Sequence, residues 1–249
     1  MLSKNTVKFI KSLHQKKFRI QEQMFFVEGE KSVVEVLDSD FRLELLVATE
    51  SFIQRNNRLI NNSSVHVIEA TQKQLESLGQ YQSNDSALAV VHMKVNDAFD
   101  FPEDQFVLGL DEVRDPGNLG TIIRIADWYG IKNLVLSEHT ADFYNPKVIQ
   151  STMGSFTRVN FFYADLKEVF QKWNVPIYGA FLDGENVHEL NQVSSGVILM
   201  GNESNGISND IGKLVTDRVT IPGFGQAESL NVAIATAILC DNFKRLEVQ

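Results

Sequence analysis

Cysteine is almost absent: Cys240 is the only one in 249 residues. It lies in an apolar C-terminal stretch and reads as a small core residue, so no intrachain disulfide or thiolate metal site can be built from it. That usage fits a reducing, cytoplasmic setting. The histidines, His14, His66, His92, His139 and His188, are scattered without metal-ligand spacing, and no metal is expected. No Ser-His-Asp order accompanies a nucleophile elbow; Gly154-Ser155 lacks one. Long hydrophobic runs are missing as well. The longest, Val232 to Cys240, is interrupted by Thr236 and is too short to span a bilayer. Lys4, Lys8 and Lys11 are not followed by an apolar segment, which argues against a signal peptide.

Acidic residues are absent from the first 21 positions, although the net charge is −9. Residues 1–96 hold 12 Lys/Arg against 11 Asp/Glu, and residues 97–249 hold 11 against 21. Screening limits phosphate attraction to roughly 10 Å, so local charge decides it. Lys4, Lys8, Lys11, Lys16, Lys17 and Arg19 make the N-terminal segment a candidate RNA contact despite the acidic total. A solvated helix face is the alternative reading. Lys4, Lys8, Lys11 and Gln15 share one helical face, and Val7, Ile10 and Leu13 another, which predicts an amphipathic helix with a basic side.

Two phosphate-binding signatures are also missing. Gly201 and Gly206 have P-loop spacing after an apolar run, but Ile207 stands where a Lys is needed. No G-x-G-x-x-G occurs. What is present instead is a pair of strand–loop units. Val197 to Met200 leads into the Gly/Asn/Ser-rich loop Gly201–Ser208, and Arg218 to Ile221 leads into Pro222–Glu228, after which Ser229-Leu230-Asn231 opens an apolar helix. Two small-residue loops side by side expose main-chain groups suited to a polar small molecule. Alternatively, both are merely turns, with Asn205-Gly206 supplying positive φ.

These residues carry a resemblance. GNESNGIS and IPGFGQAESLNVAIA resemble the second and third motifs of the SpoU (TrmH-type) RNA ribose methyltransferases of the SPOUT class, and Asp115 to Ala126 resembles the first, Asn-x-Gly-x3-Arg-x-Ala. Three motifs in order over about the last 145 residues form a specific signal. The resemblance implies S-adenosylmethionine as cofactor, RNA as substrate and a homodimer packed through the knot region. It implies cofactor contacts through the main chain at Gly201, Ile221 and Leu230, with a further one at Leu182. It places Arg124, Asn118, Glu203, Ser229 and Asn231 in the catalytic site.

The residue types suit that chemistry. Methyl transfer to a 2′-OH needs orientation and disposal of a proton. Arg124 has Ile122, Ile123, Ile125 and Ala126 as neighbours, so a buried guanidinium would need an anion: Glu203, an RNA phosphate, Asp127 or Asp115. A guanidinium pKa above ~12 makes a poor base, so orienting the ribose-phosphate is the easier role. Asn118 is expected as a helix cap that also faces substrate, and Ser229 and Asn231 as capping residues beside the cofactor loops.

Elsewhere, helices alternate with short apolar runs. Strands are expected at Phe25–Val27, Leu43–Ala48, Val65–Ile68 and Ala87–Met93, and helices at Lys31–Leu37, Ser51–Leu59 and Thr71–Leu78. They outline a small α/β domain over 1–95, whose Lys16-Lys17-x-Arg19 and Phe26-Val27-Glu28-Gly29 resemble the ribosomal-protein-like RNA-binding domain attached to many SpoU enzymes. Residues 96–105, with Asp97, Asp100, Glu103, Asp104 and Pro102, read as a linker. Residues 106–249 follow as the catalytic domain, with an Asp183-Gly184 turn and a final helix from Ser229 to about Leu246. Alternation alone predicts an α/β fold with a mostly parallel sheet and helices on both faces; the resemblance adds a C-terminal deep trefoil knot. The function expected is ribose 2′-O-methylation of ribosomal or transfer RNA. The alternative is an RNA-binding or ribosome-assembly protein that keeps the knot without catalysis.

Overall fold

The computed structural model describes residues 2–80, 82–191, 193 and 195–247. In chain order the first elements are α1 (Lys4–Ser12), α2 (Lys16–Glu22), β1 (Met24–Glu28), α3 (Glu30–Leu37) and β2 (Leu43–Ala48). Next come α4 (Glu50–Arg55), α5 (Asn57–Ser63), β3 (His66–Glu69), α6 (Gln72–Glu76), β4 (Ala87–His92) and β5 (Phe106–Leu110). They are followed by α7 (Pro116–Trp128), β6 (Asn133–Ser137), α8 (Pro146–Thr152), β7 (Asn160–Ala164) and α9 (Leu166–Trp173). The last are β8 (Ile177–Asn186), β9 (Gly196–Met200), α10 (Asn209–Gly212), β10 (Asp217–Thr220) and α11 (Val232–Glu247). They form two compact units.

The first unit comprises residues 1–95 and 143–157. Its sheet has the order β1-β4-β2-β3, with β4 antiparallel to both neighbours and β2 parallel to β3. Ile10 and Leu13 of the amphipathic N-terminus pack with Phe26, Leu45, Val47, Leu75, Leu88 and Val90 in one core. The single basic helix foreseen from Lys4 to Gln15 is instead two helices, because α1 stops at Ser12 and Gln15 is the N-cap residue of α2. The helix foreseen over Ser51–Leu59 is also broken, at Asn56. Thr71 does cap α6, as half of a capping box with Gln74. Residues 143–157 sit beside β1, where Tyr144 packs on Phe25 with ring centroids 4.5 Å apart.

The second unit, residues 96–142 and 158–249, holds a fully parallel sheet of order β10-β8-β9-β5-β6-β7. Alternate residues of the central strands face opposite sides. Val107, Val135, Val197 and Leu199 pack with Leu166 and Phe170 of α9 and Ile211 of α10. On the other face Phe106 and Tyr178 meet Phe243 of α11, at 5.4 and 4.9 Å between centroids, and α11 packs along α7. Cys240 is fully buried there, and burial pushes its thiol up to about 12. The stretch 96–105 has no helix or strand, yet it is anchored: Phe99 and Phe101 pack on Trp173, and Asn96 exchanges two hydrogen bonds with the Tyr163 main chain. No helix among the described residues is long and apolar enough to cross a membrane, and none of their acidic, His and Cys side chains cluster as a metal site would require.

Candidate active site

β5 and β9 are neighbours, with Leu110 opposite Met200, so the loops leaving their C-terminal ends lie side by side. This is where strand order reverses in an open parallel sheet, the usual place for a site. Buried Asp111, just after β5, accepts from the Ser208 N–H at 2.8 Å and ties the two loops. Asn202 donates to the Glu112 carbonyl at 2.8 Å, a second tie. Within the second loop, Asn202 and Gly206 exchange main-chain hydrogen bonds of 2.9 Å each, and Gly206 has φ +67°, the positive value expected of Asn205-Gly206. A Cβ on Gly201 would lie 2.2 Å from the Gly206 carbonyl carbon and the Ile207 nitrogen, so only glycine fits.

The helix α7 begins three residues earlier than expected. Pro116 occupies its first turn and Asp115 is the cap, accepting from the Asn118 N–H at 2.9 Å. Proline suits that position because its missing N–H would have been unpaired there. Asn118 is therefore not the cap, and its side chain is free for other work. Its amide donates to Glu203 Oε1 at 3.0 Å, and its oxygen accepts from Asn231 Nδ2 at 2.9 Å. Asn231 in turn caps α11, accepting from Ala233 N and Ile234 N at 2.9 and 3.3 Å. The final helix thus starts at Val232, not Ser229, and Ser229 lies exposed in the preceding loop with no hydrogen bond among the described residues.

Glu203 also accepts from the Asp115 and Arg114 N–H groups at 3.2 and 3.4 Å. Burial works to raise its pKa, but hydrogen bonds from Asn118 and from the main chain of Glu203, Asp115 and Arg114 outweigh it, and the carboxyl is held below its ordinary value. A carboxylate stabilised in this way orients neighbours well and accepts protons poorly.

Arg124 differs from expectation. It is exposed and makes no hydrogen bond or ion pair among the described residues. Leu119, Ile122, Ile123 and Ala126 take the buried face of α7, and the helical turn carries Arg124 to the other side with Thr121 and Trp128. None of the three expected carboxylates meets it. Glu203 holds Asn118, Asp115 caps the helix, and Asp127 pairs with Arg158 at 2.8 Å.

Of the expected cofactor positions, Leu230 lies in a loop with an available main chain, whereas the Leu182 carbonyl accepts from Thr220 Oγ1. From Pro222 to Leu230 no main-chain group makes a hydrogen bond among the described residues. Unpaired N–H and C=O groups are satisfied by water or by a ligand. Around them Leu182, Phe224 and Leu230 are 80%, 96% and 50% exposed, Ile221 is half-buried and Gly201 buried. Main-chain donors and acceptors with an apolar rim fit a molecule with a polar heterocycle and aliphatic parts. Asp183-Gly184, expected as a turn, lies in a bulge of β8: Arg218 faces Gly179 while the next residue, Val219, faces Glu185.

In the first unit, Lys8, Lys11, Lys16 and Lys17 are exposed on α1 and α2, as an RNA contact requires. Arg19 is not: it is 2% exposed, and its guanidinium donates to the Leu13 and His14 carbonyls at 2.9 Å each. It closes the turn between the two helices, so its charge is structural. Sequence reading also missed Asp111 and Asn202. Asp115 could have been found, since Asp-Pro before an apolar-periodic run is a helix-start signal.

The sequence matches the SpoU rRNA Methylase family over residues 105–241 and the MRM3-like substrate binding domain over residues 4–89. It is 33% identical over 243 residues to the 23S rRNA (guanosine(2553)-2′-O)-methyltransferase RlmP of Bacillus subtilis, covering 94% of this chain and 93% of that one. The AdoMet-bound rRNA methyltransferase from Sinorhizobium meliloti superposes with a TM-score of 0.88 at 28% identity, over 98% of this chain and 96% of that one. The SpoU methyltransferase AviRb of Streptomyces viridochromogenes, solved with AdoMet, shares the fold at 24% identity, with a TM-score of 0.89 over 99% of each chain.

Proposed function

The chain belongs to the SpoU rRNA Methylase family, and from that membership we propose that it methylates a ribose 2′-OH in structured RNA, ribosomal or transfer, using S-adenosylmethionine. The observation that carries this reading is the hydrogen-bonded run Asn231–Asn118–Glu203, which joins all three motifs beside a loop whose main chain makes no hydrogen bond among the described residues. Bound S-adenosylmethionine supplies an electrophilic methyl group on a sulfonium. Gly201, Ile221 and Leu230 would hold it through the main chain, with Leu182 as a further contact.

Glu203 fixes Asn118 and the start of α7, so the groups facing the ribose are pre-organised. Arg124, without a hydrogen bond or ion pair among the described residues, takes an RNA phosphate, orienting the target nucleotide. The first unit, residues 1–95 with 143–157, recognises RNA through Lys8, Lys11, Lys16 and Lys17, and the second carries out the transfer. Support for a deep trefoil knot comes from connectivity: the chain leaves the edge strand β10 and returns as α11 to pack on α7 and β9. Trp128 on α7 and Ile234 on α11, 83% and 52% exposed, support a homodimer through this region. The protein acts in the cytoplasm.

Mapping 2′-O-methylation across cellular RNA with and without the gene tests the reading. One ribose position should lose its methyl group in the deletion strain and regain it on complementation. An unchanged methylation map would favour a non-catalytic RNA-binding role.

A further inference from the structure

We propose that Arg218 is a positioning residue for the cofactor: from β10 it clamps the bulge of β8 that presents Leu182. This inference rests on the reading of Leu182 as a cofactor contact.

The bulge spans the residues between Gly179 and Glu185, since those two face consecutive residues of β10. A bulge of this length has no strand ladder of its own and must be held by other means. Three contacts from Arg218 do so. Its guanidinium carbon lies 3.7 Å from the centre of the Phe181 ring. Its Nε donates to the Asp183 carbonyl at 3.2 Å, and its Nη2 donates to the Asp183 carboxylate. That second bond outweighs the opposing effect of burial and holds the Asp183 carboxyl below its usual range.

The surrounding residues are shaped to receive the clamp. Gly179 has no side chain, and a Cβ there would lie 2.8 Å from the Phe181 ring and 2.9 Å from Val215, so the ring folds back into that space. A Cβ on Gly184 would lie 2.6 Å from the Arg218 carbonyl oxygen. Thr220 Oγ1 donates to the Leu182 carbonyl at 3.2 Å. Phe181 is thereby drawn inward and Asp183 held sideways, and Leu182 between them is left 80% exposed at the apex. A planar guanidinium can stack on a ring and fork to two acceptors at once, which an ammonium cannot. The strand β10 also leads directly into the second cofactor loop, so one arginine couples the two walls of the proposed pocket.

Isothermal titration of the full-length protein with S-adenosylmethionine, without RNA, tests the clamp. Arg218→Gln should raise Kd about five- to tenfold, and Arg218→Lys should not restore it. Turnover at saturating cofactor and KM for RNA should stay within about twofold of wild type. Asp183→Ala removes an exposed side chain, so folding is not at stake; it should raise Kd about threefold, and the double variant should bind no more weakly than Arg218→Gln alone. If Arg218→Gln fails to fold, Asp183→Ala alone decides. Wild-type affinity in these variants overturns the proposal, as does a raised KM for RNA at unchanged cofactor affinity, which would make Arg218 an RNA contact. Failure of the wild-type protein to bind S-adenosylmethionine overturns the functional reading itself, and the clamp with it.

Discussion

Asn231 donates to Asn118 at 2.9 Å across 113 residues of sequence. The contact joins the first turn of α7 to the cap of α11, and Asn118 passes it on to Glu203 at 3.0 Å. A small amide with one donor and one acceptor engaged cannot be replaced conservatively. Asn118→Asp sets a carboxylate against Glu203 and removes the donor; Asn118→Ala removes both bonds. Either should lower turnover at least tenfold while changing stability by no more than about 1 kcal/mol, because these are partly exposed hydrogen bonds. Steady-state kinetics with thermal unfolding on the same samples checks this.

Glu203 gives the pH dependence. Its carboxyl is held below the ordinary value in the folded chain, by hydrogen bonds that outweigh burial. The ionised form is therefore favoured by folding. Its stabilisation is complete above the ordinary glutamate range of about 4.3 and is lost as pH falls through the folded value. Wild type should exceed Glu203→Gln in stability at pH 7, and the two should converge as the pH is lowered below about 4. Denaturant midpoints at several pH values measure the difference, and a gap that widens on acidification would contradict it.

At Gly201 the constraint is steric. A methyl group would meet main-chain atoms at 2.2 Å, and backbone cannot swing aside as a side chain can. Gly201→Ala should abolish measurable cofactor binding and cost about 1–3 kcal/mol. Gly223→Ala should be mild, since nothing lies within 4 Å of its Cβ position. Calorimetric titration of the two variants separates a steric requirement from a general intolerance of the loops.

The basic N-terminus divides into two kinds of charge. Reversing exposed Lys8, Lys11 and Lys16 should weaken RNA binding and leave stability unchanged. The salt slope should fall by about 0.7–0.9 for each phosphate that is no longer neutralised. Arg19→Ala should do the opposite. It strips the partner from the Leu13 and His14 carbonyls and should cost about 1–3 kcal/mol with little direct effect on the salt slope. Salt titrations of RNA binding, paired with thermal unfolding of each variant, separate the two.

That division marks where sequence stops being informative. Lys16, Lys17 and Arg19 look alike in a run of cations, but the turn at Gln15 sends Arg19 inward, and no periodicity announces that turn. Short apolar runs do announce the four strands of the first sheet and β9 and β10 of the second, because burial on a pleated surface needs them. Their spatial order, with β9 beside β5, does not follow from local pattern and depends on which strands pair at long range. Arg124 was legible as a motif residue but not as an exposed one: its four apolar neighbours suggest burial until the helix phase is fixed by Leu119, Ile123 and Ala126. The β8 bulge was legible only as an Asp-Gly turn, since the register that makes it a bulge belongs to β10.

The central claim is methyl transfer to a ribose hydroxyl, and its chemistry permits a direct test. Ribosomal RNA from a strain lacking the gene is incubated with the purified protein and S-adenosylmethionine carrying a radiolabelled methyl group, then digested with alkali. A 2′-O-methyl group blocks cleavage of the adjacent phosphodiester, so the label should appear in alkali-resistant dinucleotides at one position, and should disappear with Arg124→Ala although that variant folds and binds the cofactor normally. Label recovered in mononucleotides, which marks methylation on a base, or no transfer by a protein that binds both cofactor and RNA, would contradict the account.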